Sequence, residues 1–210
     1  AHLAKIARLS DMALLKRLRN AVPWLRWLAT GLLTCAGPEL RKPDWLQGFN
    51  VKCVDATTVC KPGSRGTDWR LHFDLRLFDM GFEQFQVTDN KTGESFRNFE
   101  VKSGDLLLGD RGYAHLDGMS YVIEHRGDFI VRLGCRSFTP YDLRDQHKID
   151  LLGELASLRV GEVWDRRVSG RTTEGKIVMM RVCATRLPRQ KFRKAQQTAR
   201  RKAKRKGKRI

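Results

Sequence analysis

Two short apolar runs, 51–55 and 106–110, each finish on an aspartate: Val51 to Asp55, and Leu106-Leu107-Leu108 running through Gly109 into Asp110. A carboxylate just past a buried strand is costly to desolvate unless a metal or a base takes it up. Two such strands lying side by side would deliver both acids to one sheet edge. Oxygen ligands gathered there can hold the divalent cations that phosphoryl transfer uses, and Mg2+ fits because it accepts carboxylates, waters and phosphate oxygens. Asp55 and Asp110 are therefore candidate metal ligands, although strand-end aspartates are also common in α/β proteins.

The residues between them read as a hairpin. Leu71, Phe73, Leu75 and Leu77 alternate with His72, Asp74 and Arg76, the period of a half-buried strand. Asp79-Met80-Gly81 makes a turn, and Phe85 and Val87 belong to the returning strand. A short helix is expected over 93–101, a helix near 118–124 and a strand over 129–133. Upstream, Ser10 can cap a helix over 10–28, with Pro23 separating two helical pieces. Downstream, 162–168 and 176–184 read as antiparallel strands joined at 169–175. Residues 191–206 form a polar, basic helix or coil.

Charge narrows the partners. The 210 residues carry 41 Lys and Arg against 23 Asp and Glu, a net +18. Lys191 to Ile210 hold 11 of the basic residues and no acid, so 18 − 11 leaves +7 on the rest of the chain. Such a field attracts polyanions and releases their counterions. DNA, structured RNA and anionic membranes all satisfy that condition.

Cys35, Cys53, Cys60, Cys135 and Cys183 form no Cys-x-x-Cys pair and are expected as reduced, mostly buried thiols of a cytoplasmic protein. The histidines are equally scattered, which argues against structural zinc. The most apolar stretch, 22–33, is interrupted by Arg26 and Gly31 and falls short of the roughly 20 residues of a membrane span. The first residue is Ala and the last lies inside a basic run, so a fragment is expected.

Three ordered motifs go further: Val-Asp-Ala-Thr-Thr-Val at 54–59, Gly-Thr-Asp-Trp-Arg-Leu-His at 66–72 and Leu-Gly-Asp-Arg-Gly-Tyr-Ala at 108–114. Together with Val131-Arg132-Leu133 they resemble the DDE transposases of bacterial insertion sequences of the insertion-sequence-four type. The likeness runs from about residue 10 to 210. It implies an α/β (α+β) fold: an RNase H-like mixed sheet with a hairpin, N-terminal helices, a partial β-rich insertion and a basic C-terminal helix. The corresponding regions are 1–48 (helical), 49–139 (core with the first two acids), 140–190 (insertion) and 191–210 (basic helix or tail).

The resemblance also implies metal-dependent strand cleavage and transfer at element ends, with Asp55 and Asp110 binding Mg2+ or Mn2+. It implies a homodimer on DNA, acting in the bacterial cytoplasm at the nucleoid. Such transposases carry a third acid in the order Tyr-x-x-Arg-x-x-x-Glu. Tyr141 and Arg144 begin that spacing, but position 148 is Lys. The third acid is therefore expected beyond Ile210, leaving these residues catalytically incomplete.

Candidate DNA contacts are Arg111, Lys61, Arg65 and, in the tail, Arg193, Lys194, Arg200, Arg201, Lys204 and Arg205. Arg111 serves equally as a structural ion pair. Tyr113 and Trp69 either stack on a base or pack internally. Thr57 and Thr58 either donate to phosphate or are ordinary strand residues. Two rivals stand beside the transposase reading: a non-catalytic basic nucleic-acid binder, and an RNase H-like nuclease that does not transpose.

Overall fold

The computed structural model describes residues 10–35, 40–64, 66–134 and 137–205. Two compact units share the chain, residues up to 110 with 122–130, and residues 111–121 with 131 onward.

The first unit is built on a five-stranded mixed sheet. Its strands are β1 (Asn50–Val59), β2 (Trp69–Arg76), β3 (Phe82–Asp89), β4 (Asp105–Gly109) and β5 (Asp128–Val131), in the order β3-β2-β1-β4-β5. β1–β2 and β2–β3 are antiparallel, and β1 and β4 run parallel. A parallel neighbour requires a crossover, supplied by residues 90–104. The mixed sheet with its hairpin is consistent with an RNase H-like α+β fold.

The crossover lies against one sheet face. His72, Asp74 and Lys52 lie on that face, all fully buried, with Phe96, Phe99, Val101 and Leu107 in the core. Phe96 makes the single 3-10 turn Phe96–Asn98, capped by Ser95, where a helix over 93–101 was expected. The segment is otherwise extended because it must span β2 and β1 to reach β4. Of the polar groups there, the Asp74 carboxylate accepts from the Glu83 and Gln84 amides and from the Gln84 side chain.

α1 (Asp11–Cys35) starts at Ser10, whose hydroxyl accepts the Ala13 amide at 3.2 Å. Pro23 does not divide it; one helix runs through. The missing donor and the ring's clash with the preceding turn are absorbed inside a helix that is otherwise rich in good helix formers. Met12, Leu18, Val22, Trp24 and Trp27 are exposed along it.

After α2 (Leu116–Glu124), the second unit contains β6 (Tyr141–Asp142), α3 (Leu151–Ala156), β7 (Val163–Arg171), β8 (Ile177–Thr185) and α4 (Arg189–Arg205). β6-β7-β8 form an antiparallel sheet, and the β7–β8 turn occupies only 172–176, shorter than expected. Its inner face carries Val168 and Val178, both buried. There Arg166 is held by Glu154 at 2.7 Å and by Asp142. The thiols of Cys60 and Cys183 are exposed and that of Cys53 is half-buried, against the expectation of mostly buried cysteines. Cys135 lies outside the described residues.

Candidate metal and nucleic-acid site

β1 does not stop at Asp55. Asp55 is the sixth of its ten residues, and Ala56 to Val59 continue against β2, ending at the pair Val59–Trp69. The β-branched Thr57, Thr58 and Val59 favour that extension. On the other side β1 loses its partner earlier: pairing with β4 runs from Asn50–Asp105 to Cys53–Leu108. Each of these pairs differs by 55 in number; Asp55 lies two residues past the last pair on β1, and Asp110 two residues past it, just after β4 ends. Both are exposed, at the point where the two parallel strands part.

Register also fixes what surrounds Asp55. Its cross-strand neighbour is Phe73, which faces Phe85 on β3. Phe73, Phe82 and Phe85 form a ring cluster with centroids 5.0 to 6.3 Å apart. Phe85 is 55% exposed, so Asp55 stands on a sheet face that is apolar and open to solvent. The Asp55 carboxylate accepts the Ala56 amide at 2.8 Å.

Glu94 is a site residue that sequence reasoning missed. Burial raises its carboxyl above the ordinary value, and the negative field of Asp110 adds to this; Arg70 pulls it back, and Asp55 raises it further. Arg70 lies 3.7 Å from Glu94, with its Nε buried and without a hydrogen-bond partner. The loop bearing Glu94 is pinned from below. The Asn98 side chain donates to the Gly93 carbonyl at 2.9 Å and meets His72 Nδ1 at 3.2 Å, while His72 Nε2 meets the Thr88 hydroxyl at 3.0 Å. No local motif marks Glu94, because its approach to Asp55 and Asp110 depends on the crossover.

The donors here suit a hard cation, since both aspartates offer carboxylate oxygens and leave room for water and phosphate. Among the described residues, however, no group of three or more His, Cys, Asp or Glu side chains is placed to hold a metal ion.

The other expected contacts divide. Lys61 sits with its Nζ 4.9 Å from the centroid of the Trp69 ring, and Trp69 is 40% exposed, so these two form one cation–π surface beside the end of β1. Thr57 and Thr58 are exposed on β1. Arg111 is exposed, but Tyr113 is fully buried, and its ring is internal packing rather than a surface for a base. Arg65 lies outside the described residues. Arg193, Lys194, Arg200, Arg201, Lys204 and Arg205 all fall on α4, which contains no acid. Positions 193, 200 and 204 share one helical row and 194 and 201 the next, a basic stripe opposite Phe192, Ala195 and Ala199.

Two proteins of Escherichia coli are similar to this chain. The transposase of insertion sequence element IS421 is 30% identical over 199 residues, 91% of this chain and 52% of that protein. The transposase candidate InsL of insertion sequence element IS186A, from strain K12, matches with the same identity and coverage. By sequence, this chain is similar to these insertion-sequence transposases. It spans about half the length of those transposases. No family model and no solved structure matches it. No described helix is long and apolar enough to cross a membrane.

Proposed function

We propose that this chain carries the first two acids of a DDE transposase, and that Asp55 and Asp110 bind Mg2+ or Mn2+ for cleavage of DNA at the ends of an insertion sequence. The observation that supports this is the parallel pairing of β1 and β4 up to Cys53–Leu108, with Asp55 and Asp110 each two residues beyond that last pair. Similarity to insertion-sequence transposases supports the substrate. Divalent metal in such a site supplies an activated water and stabilises the leaving 3′-oxygen. The chain's own part is to present two carboxylates at fixed spacing, with Lys61, Trp69 and the stripe on α4 holding the DNA. The acting form is a homodimer on paired element ends, in the bacterial cytoplasm. Two carboxylates alone hold a divalent ion weakly, so metal affinity and turnover in these residues alone are low.

Mn2+ binding followed by electron paramagnetic resonance, paired with nicking of element-end DNA by the transposase containing this chain, tests the reading. Asp55→Asn and Asp110→Asn should each abolish nicking and weaken Mn2+ uptake while DNA binding persists. Nicking unaffected by either substitution would overturn it.

One observation favours a second reading. No three-ligand group exists among the described residues, whereas the acid-free α4 is suited to polyanions whether or not chemistry follows. A non-catalytic nucleic-acid binder would hold DNA equally well in EDTA and would show no nicking with any divalent metal.

A further inference from the structure

The outer face of the β7–β8 hairpin carries a charge problem that its inner face does not. Period two places Arg167 and Arg171 of β7 on the outer side, and register sets Arg167 directly opposite Arg181 of β8. Side chains so paired have Cβ atoms about 5 Å apart, and like charges there destabilise the hairpin. On the inner face the single Arg166 has two carboxylates, Glu154 and Asp142. On the outer face Asp165 serves both guanidiniums unequally. It is engaged by Arg181, Nε to Oδ1 at 2.8 Å and Nη2 to Oδ2, while Arg167 contributes only through its field. Arg171 is exposed about 13 Å further along the same strand face, beyond Ser169, which is buried on that face.

We propose that this outer face is a docking surface for the phosphate backbone of duplex DNA, with Arg167 and Arg171 as direct contacts and Arg181 restrained by Asp165. Phosphates supply the anions that the hairpin lacks and relieve the Arg167–Arg181 repulsion. Guanidiniums bind them through charge-assisted, often bidentate, bonds. A second copy of this chain is a poor occupant, because the same face would meet its own charges and the chain as a whole is +18. Met179 and Ile177, 68% and 55% exposed on the same face, give the bound backbone an apolar floor. The choice of DNA rests on the proposed transposase function, but the surface is separate from Asp55 and Asp110 and requires no metal.

The test is binding of the whole chain to a fluorescent random-sequence duplex in EDTA, by anisotropy, across a range of NaCl concentrations. Removing two contacts with Arg167→Gln/Arg171→Gln should flatten the slope of log K against log salt by about 1.8, at about 0.9 per phosphate. Arg167→Lys/Arg171→Lys should retain most of that slope. Asp165→Asn releases Arg181 and should tighten binding several-fold beyond Asp128→Asn, the same charge change made elsewhere. An unchanged slope in the Gln pair would overturn the proposal. So would an Asp165→Asn variant indistinguishable from Asp128→Asn, or Arg167-dependent binding to anionic vesicles but not to duplex. If the Gln pair fails to fold by circular dichroism, the Asp165→Asn comparison decides. Because EDTA removes metal chemistry, failure of the cleavage reading would leave this result intact, and the reverse holds too.

Discussion

Lys52 Nζ and Asp105 Oδ2 meet at 2.9 Å, and neither side chain is more than 2% exposed. Lys52 belongs to β1 and Asp105 opens β4, so the pair bridges the two parallel strands. Asn50 donates to the other oxygen of Asp105 at 2.9 Å, and Glu83 also reaches Lys52, at 3.0 Å. These bonds hold the β1–β4 register that leads up to Asp55 and Asp110. A slip of one residue would turn one aspartate to the opposite face.

Lys52→Met should therefore destabilise the protein strongly, by about 3–5 kcal/mol, because Asp105 would be left buried without its ammonium partner. Urea unfolding of the single variant and of Lys52→Met/Asp105→Leu checks this, with the double variant recovering much of the loss. Burial alone would lower the Lys52 pKa, but hydrogen bonds to Asp105 and Glu83 outweigh that and raise it. The contribution is thus present below about pH 10.5 and lost as pH rises through the raised value. A single Lys52→Met variant as stable as wild type would show that the pair does not hold the strands.

Acid should weaken the fold by way of His72. Burial, and then the charge of Arg70, lower its pKa beneath the ordinary 6.5. The unfolded chain takes the proton first, so stability falls as pH drops from 6.5 toward the folded value. Asp74 acts in the opposite sense at lower pH, since burial raises its carboxyl and the folded state is protonated first. Unfolding midpoints collected from pH 7.5 downward should show the His72 decline, and His72→Gln should flatten it.

Glu94→Gln should weaken Mn2+ uptake at the proposed site by about two- to five-fold, the size expected for one partly screened charge several ångströms away. Asp55→Asn should cost more, because it removes a ligand. Equal affinities for wild type and Glu94→Gln would show that the field of Glu94 does not reach the bound ion.

On α4, Arg193→Gln/Arg200→Gln/Lys204→Gln removes one row of the basic stripe. If that row follows a phosphate backbone, the slope of duplex affinity against salt should drop by about 2.7. Unchanged slopes would mean that the helix stays in solvent while DNA lies elsewhere.

Much of this architecture was written locally in the chain. The alternation at 71–77 and the turn at 79–81 specified the β2–β3 hairpin, because period two and turn chemistry are properties of neighbouring residues. Ser10 marked the start of α1, and the runs at 51–55 and 106–110 marked β1 and β4. Local reading erred where tertiary contacts outweighed local preference: Pro23 lies within one helix and the 93–101 segment is drawn out over the sheet.

The sequence by itself determined that Asp55 and Asp110 follow apolar strand-forming runs, where the hairpin turns and how strongly basic the chain is, since composition and short-range periodicity encode all three. Only the tertiary structure decided that β1 and β4 are parallel neighbours offset by 55, that Glu94 stands near both aspartates, and that Arg167 faces Arg181. Those facts depend on which distant segments pair and in what register. That choice is made by burial and by cross-strand bonds such as Lys52–Asp105, which link residues with no pattern connecting them along the chain.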